Sequence, residues 1–290
     1  MPVSYLQLVN EITAPMPPMP VAKMGEPPFV PLRVPLESAT VMLVNSAGVH
    51  LRDEPPFQFV DDLSFRRLDQ TTERSRLRPC HPSPIRRPGR IDVNVVYPYE
   101  RLAELANHGV IGRPTGHHAS MLGAIKKVSR LMTELGPAIA ADAHGQGADL
   151  VMLVPLCPAC HQAIGLLARA IEKAGIPTVS VTGARDITEL VRPPRAAYLD
   201  FPLGYSLGHP DDADEQREIC RSVLELATTV TRPGDIVDLP YRWPEAGWEE
   251  GIVEHYWKDR ETVIGQRSKE FGPDGTHLAA KEVEAVEAMG

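Results

Sequence analysis

The chain of 290 residues lacks any run of roughly 18 to 20 apolar residues, the length a bilayer crossing demands, so no membrane span is expected. Its beginning has no basic stretch followed by an apolar one, so no secretory signal is expected and a cytoplasmic location follows. Basic charge is also short: 30 Lys and Arg stand against 38 Asp and Glu, a formal net charge of −8. That balance argues against nucleic acid as a main partner, because phosphate binding needs a basic face. Four cysteines are too few for a disulfide framework in an unexported chain of this size. A close cysteine pair should therefore be reduced, reactive or metal-bound. No repeat is evident at solenoid periods, which excludes a stacked array.

Hydrophobic content of 43% and charged content of 23% are those of a globular protein with a packed core. The length suits one large α/β domain or two small ones. Residues 1–37 hold nine of the 29 prolines, too many for a long helix or an inner strand, so this arm should run extended over the surface, as packing or as a binding lid. One local exception to the acidic balance is Arg74, Arg76, Arg78, Arg86, Arg87 and Arg90, read as a solvated or anion-facing loop.

The body, residues 38–243, alternates as a parallel sheet requires. Apolar runs predict strands at Ala39–Asn45, Val93–Tyr97, Asp149–Pro155, Pro177–Thr182 and Ala197–Phe201. Helices are predicted from Pro98 to Ala106, from Leu122 to Ala143 with Pro137 as a kink, and from His161 to Ala174. Further helices are expected at Ile187–Leu190 and Asp212–Val230. The expected fold is α/β: an open, mostly parallel, doubly wound sheet with helices on both faces. It carries the extended Pro-rich N-terminal arm and a C-terminal appendage, and the body could comprise two similar α/β halves. Residues 244–290 form the appendage, whose Trp248, Tyr256 and Trp257 could pack on the body or on a second copy in a homo-oligomer, while its tip should fray.

The informative stretch is Leu153-Val154-Pro155-Leu156-Cys157-Pro158-Ala159-Cys160-His161-Gln162. It falls where an inner strand ends and a helix begins, the place where open α/β sheets put ligands. Two cysteines at this spacing can meet across the first helical turn and close a reversible disulfide. A helix N-terminus offers free N–H groups and partial positive charge, which favour thiolate. Cys157 is therefore expected to be the exposed attacking sulfur and Cys160 the resolving one, with His161 as proton donor or added positive charge. The same pattern occurs in c-type haem attachment, which needs export, and in zinc sites, which need a further pair. Two inert buried cysteines are a third alternative.

Supporting residues come from other loops. Cys80 and His81 lie between Pro79 and Pro82, and His117-His118 precedes Ala119-Ser120-Met121-Leu122-Gly123, expected to open a helix. Either pair could reach the dithiol. Ser46 follows the first strand, and Arg185 follows the strand at Pro177; these two and His117 are the candidate substrate-binding residues. Cys220 falls inside the long amphipathic helix, as a structural residue.

The sequence resembles the selenoprotein B components of glycine, sarcosine and betaine reductases and of D-proline reductase, from about residue 38 to 243. The resemblance is carried by Asp92-Val93-Asn94-Val95-Val96-Tyr97-Pro98 with Arg101-Leu102, Gly109-Val110-Ile111-Gly112 and the cysteine motif itself. It continues through Ala174-Gly175-Ile176-Pro177-Thr178, Asp200-Phe201-Pro202-Leu203-Gly204, and Ile236-Val237-Asp238-Leu239-Pro240 with Arg242-Trp243. It implies that a selenocysteine's place is taken here by the plain sulfur of Cys157, and that His81 and His118 match histidines in the family's loops. It further implies reductive cleavage of a C–N or other carbon–heteroatom bond in a small polar substrate. The proline and glycine reductases use a pyruvoyl-bearing partner subunit, and no residue here supplies that group; a member of this kind could act alone on a substrate with an activated leaving group.

The leading expectation is an oxidoreductase with Cys157 attacking and Cys160 resolving. It needs no resident cofactor or metal, and a thioredoxin-like protein or small thiol restores the dithiol. Two rivals remain: a non-redox hydrolase, desulfhydrase or racemase using Cys80 and Cys157, and a metal- or metalloid-binding protein using Cys157, Cys160, His81 and His118.

Overall fold

A computed structural model describes residues 3–59, 61–273 and 277–289. The strands are β1 (Thr40–Asn45), β2 (Val49–Leu51), β3 (Phe65–Asp69), β4 (Leu77–Pro79), β5 (Arg113–Pro114), β6 (His117–Met121), β7 (Leu150–Val154), β8 (Thr178–Thr182), β9 (Arg195–Tyr198) and β10 (Asp235–Asp238). The main sheet runs β10-β9-β8-β7-β1-β6-β3, with β5 also beside β1. Every pairing in it is parallel except that of β3 with β6. β2 and β4 form a separate antiparallel pair.

Strands β1, β7 and β8 are buried at every residue. That is why they read as continuous apolar runs rather than alternating ones: a parallel sheet is covered on both faces. The α-helices are α1 (Tyr5–Thr13), α2 (Arg87–Ile91), α3 (Tyr99–Asn107), α4 (Gly136–Gly145), α5 (Pro158–Lys173), α6 (Arg185–Val191), α7 (Ala213–Thr229), α8 (Trp248–Lys258), α9 (Arg260–Arg267) and α10 (Ala280–Glu287). α4 and α6 pack against α5, which lies on β7 and β8, whereas α3 packs against α7 on β8 and β9. The doubly wound α/β architecture is thus present.

Several local expectations are corrected. Val93–Tyr97 is not a strand but begins as a 3-10 turn, Val93–Val95, because the Asp92 carboxylate accepts the Asn94 N–H. A short apolar run cannot by itself separate strand from turn. His117–Met121 is a strand, not the approach to a helix, and the helix expected from Leu122 starts later, through a π-helical turn at Leu131–Leu135 before α4. Pro137 sits in the first turn of α4, where its missing N–H costs no hydrogen bond. Helix α5 starts at Pro158, three residues before the expected start.

The Pro-rich arm opens with a helix, α1, in the proline-free stretch before Pro15, burying Tyr5, Leu8, Val9 and Ile12 at helical spacing. Its extended remainder is tied down by buried arginines. Arg169 donates to the carbonyls of Gly25 and Glu26, and Arg195 donates to that of Val30 while its guanidinium lies 3.8 Å from the Phe29 ring centre. The C-terminal segment returns across this arm, with α8 and α9 against α1. Val283 and Val286 of α10 are buried, while Gly290, at the tip expected to fray, lies outside the described residues.

Candidate active site

The chain leaves β1 toward β6 and β3 but leaves β7 toward β8, β9 and β10. Since β1 and β7 are neighbours, their C-terminal ends mark the reversal of winding, where open sheets form a ligand crevice. Ser46 follows β1 there, and Cys157 follows β7.

Cys157 is the N-cap of α5: its sulfur accepts the Cys160 N–H at 3.4 Å, and Pro158 takes the first helical position. The Cys157 thiol donates to the Cys160 sulfur at 3.1 Å. His81 reaches in from the loop after β4. Its Nδ1 accepts the Ser83 N–H, which places the ring proton on Nε2, 3.4 Å from the Cys160 sulfur. Cys160 also lies 3.7 Å from the Ser46 carbonyl. Gly123 explains how the loop after β6 can close over this cluster: a Cβ there would stand 2.5 Å from the Cys160 sulfur.

The charge sits on the sulfur opposite to the one expected. At Cys160 burial opposes ionisation, but donation from the Cys157 thiol and the His81 ring outweighs it, holding Cys160 well below the ordinary thiol range. Cys157 is pushed well above that range, first by its hydrogen bond to Cys160 and then by burial. Two sulfurs this close do not both ionise, and the one that faces His81 takes the charge. The helix N-terminus acts on Cys157, but donation from Cys157 itself and, after it, the His81 imidazole favour the charge on Cys160.

Cys157, 8% exposed, lines a cavity of about 660 Å3, while Cys160, 0% exposed, sits behind it. Cys80 and His81 share that lining, and the thiol of Cys80 is pushed up by burial. The walls come from all three parts of the chain: Met19 and Pro20 of the arm, Arg78 and Arg86 of the Arg-rich stretch, and Tyr256 and Ala279 of the C-terminal segment. Tyr256 carries a buried hydroxyl with no hydrogen-bond partner. Its proton affinity is raised by burial and, further down in size, by the charges of Cys157 and Cys160.

Other expected residues are not brought here. His161 donates from Nδ1 to the Cys157 carbonyl at 2.8 Å and accepts the Gly183 N–H at 3.1 Å, so both ring nitrogens are used away from the sulfurs. Burial lowers its proton affinity, which removes the expected positive charge. His118 is fully buried within the sheet, where Nδ1 accepts the Leu43 N–H and Nε2 donates to Gln70. His117 pairs with Asp142 at 2.8 Å. Arg185 pairs with Asp238 and lies over the Tyr198 ring. Ser46 is present, contributing its carbonyl; its hydroxyl donates to Val154.

Sequence reasoning missed Gly123, Tyr256 and Gln162, whose side-chain oxygen accepts the Ala22 N–H and fixes the arm beside the cavity. No local signal marks them, since each acquires its role by contact with a segment far away in sequence. Among the described residues, His81, Cys157 and Cys160 form the one group whose ligand atoms could hold a metal ion, all lying within 4.8 Å of one another.

Comparison with known proteins gives three matches of note. The chain is 28% identical to D-proline reductase subunit gamma of Acetoanaerobium sticklandii over 236 residues, 81% of this chain and 95% of that protein. It is 29% identical to a glycine reductase complex component B subunit gamma of Carboxydothermus hydrogenoformans over 137 residues, 47% of this chain. The counterpart from Peptoclostridium acidaminophilum is 26% identical over 157 residues. The matches span 31% and 35% of those two longer subunits. No family model matches, and no solved structure matches.

Proposed function

We propose that this chain, a homologue of the D-proline reductase and glycine reductase gamma subunits, is a dithiol-dependent reductase that cleaves a carbon–heteroatom bond. The observation that carries the reading is the Cys157–Cys160–His81 cluster, with one sulfur facing the cavity and the other held behind it as thiolate. As Cys157 attacks the substrate carbon, its proton passes to the Cys160 thiolate, and the heteroatom leaves with the bonding pair. Cys160 then attacks the Cys157 sulfur. The S–S bond forms, the S–C bond breaks, and the carbon departs with its electron pair to be protonated. The sum is R–X plus the Cys157 thiol, the Cys160 thiolate and one proton giving R–H, HX and a disulfide: the sulfur pair is oxidised by two electrons and the substrate reduced by two. The departing carbanion requires an adjacent carbonyl or iminium on the substrate. The Tyr256 hydroxyl, unpartnered and kept protonated by burial at a residue lining the cavity, is the hydrogen-bond donor to the leaving heteroatom, which takes its proton from solvent. A small dithiol or thioredoxin-like protein reopens the disulfide by exchange.

The test is dithiothreitol-driven turnover of α-substituted carbonyl compounds and amino acids by full-length protein carrying Cys157→Ser, Cys160→Ala or Cys80→Ala. Cys157→Ser should lose on the order of 10⁴-fold, Cys160→Ala should stop at the adduct, and Cys80→Ala should retain turnover. Undiminished activity in both Cys157→Ser and Cys160→Ala would refute the reading. Loss in Cys80→Ala but not in Cys160→Ala would favour non-redox acid–base work by Cys80 and Cys157.

A second reading, a thiophilic metal ion held by the Cys157 and Cys160 sulfurs and His81, is favoured by the proximity of those three ligand atoms. It requires stoichiometric metal in protein purified without added metal, abolished by Cys160→Ala. The dithiol reading requires instead that metal-free protein be fully active.

A further inference from the structure

The cavity wall opposite in character to the sulfurs is built of arginine. Arg52, Arg78, Arg86 and Arg90 all line the cavity that Cys157 faces. A second cavity, of about 500 Å3, adjoins it, and Arg52, Arg78 and Arg90 line both; Arg74 completes the second lining. Arg74 is paired with Asp92 and Asp211. By contrast, among the described residues no ion pair links Arg52, Arg78, Arg86 or Arg90 to a carboxylate. Among the described residues Glu54 is the one carboxylate in either lining, and it faces Arg66 at 4.0 Å.

The cluster is built rather than incidental. The Arg86 guanidinium is held by the carbonyls of Pro82 and Ser83, at 2.6 and 2.9 Å, yet its Nε is buried without a partner. Burial first, then the charges of Arg90, Arg87 and Arg78, lower its proton affinity. Arg52 is anchored through Nε to the Ser75 carbonyl at 2.6 Å. In a chain of net charge −8, four guanidinium groups without a carboxylate partner around one concavity focus positive potential there, which attracts an anion. Their planar donor forks match phosphate and carboxylate oxygens.

We infer that the substrate is elongated and carries a doubly negative tail, of the phosphate-ester or dicarboxylate kind, which the second cavity holds through Arg78 and Arg90 while the reacting carbon faces Cys157. This deepens the dithiol reading and rests on it for the identity of the reacting end. A single carboxylate would leave most of the cluster uncompensated. An acidic protein surface fits less well, because Arg52, Arg78 and Arg90, though exposed, also line the cavity that Cys157 faces.

The test separates the two claims by measuring binding on full-length protein carrying Cys157→Ser, in which the redox chemistry is gone but the cavity remains. Inorganic phosphate, pyrophosphate, succinate, acetate and polyglutamate are titrated calorimetrically at two salt concentrations. The expected result is binding of at least one of the three dianion-type probes, weakening with salt, with acetate much weaker. Arg78→Ala with Arg90→Ala should weaken it about 10- to 100-fold, the loss expected for charge-assisted hydrogen bonds. Arg113→Ala, at the opposite end of β1, should change nothing. Phosphate or pyrophosphate preference assigns the ester class, and succinate preference the dicarboxylate class. On protein with its cysteines intact, iodoacetate should alkylate Cys157 faster than neutral iodoacetamide, and the double arginine variant should reverse that order. No binding by any dianion, binding untouched by the arginine changes, or binding of polyglutamate alone would each overturn the inference. A dead dithiol with intact anion binding would instead refute only the proposed reaction.

Discussion

The two sides of the central sheet are built on different plans. From β7 through β10 the strands are parallel neighbours in chain order, joined across α5, α6 and α7. From β1 the chain wanders through residues 46–112 before β5 and β6 rejoin the sheet beside the strand it left, and β3, formed on the way, pairs antiparallel with β6 at the edge. The regular side supplies the frame and presents Cys157 and Cys160 at a strand end. The irregular side supplies His81, which sets the charge on the pair, and the arginines that line the cavity. The difference teaches that the cysteine pair belongs to the repeating architecture while the histidine and arginines around it belong to the excursion.

That division is sharpened by changes that should affect one property and spare the other. The largest effect is expected on the regular side. Arg195 and Glu172, both with fully buried side chains, pair at 2.5 Å. Arg195→Ala leaves the carboxylate uncompensated and releases the Phe29–Val30 segment of the arm. It should cost about 3–5 kcal/mol of stability, read from urea unfolding; a loss near zero would show that this pair does not organise the arm. A smaller effect should appear at the cavity. Tyr256→Phe removes an unpartnered hydroxyl and should leave unfolding midpoints unchanged while lowering turnover about 10²-fold. A fall in stability without a fall in turnover would make the residue packing only.

The effect that is smallest at neutral pH concerns a histidine on the excursion side that is not part of the site. Burial holds His118 down from its ordinary 6.5 to about 3. Between those values the unfolded chain binds the extra proton, so its contribution is intact above pH 6.5 and is lost as pH falls through the window toward 3. The slope approaches about 1.4 kcal/mol per pH unit. His118→Gln should flatten the pH dependence of unfolding there without altering the pH profile of thiol alkylation. Equal slopes in both proteins would mean the buried imidazole takes up its proton in the folded state.

Much of the regular side was legible because its signals are local. The runs at β1, β7 and β8 are apolar throughout, α7 is amphipathic, and Cys157 with Pro158 announces a strand giving way to a helix. The excursion was read less well. His117–Met121 was expected to lead into a helix because His, Ser and Gly in a short stretch mask the strand that pairing with β1 and β3 imposes. The run at Val93 looked like a strand because nothing local shows Asp92 capping it into a turn. The Arg-rich stretch reads in sequence as a solvated or anion-facing loop, with no sign that it walls the sulfur's own cavity.

The sequence alone determined the layered α/β plan, the place of the cysteine pair at a strand end and the cationic character of one segment. Those properties are written in hydrophobic period, in helix-starting residues and in composition, all of short range. Only the tertiary structure decided which sulfur holds the charge, which of the histidines serves it, and that the arm, the arginines and Tyr256 enclose one space. A proton's position between Cys157 and Cys160 is set by the donor that lies across from them, and His81, far from them along the chain, arrives there only when the fold closes.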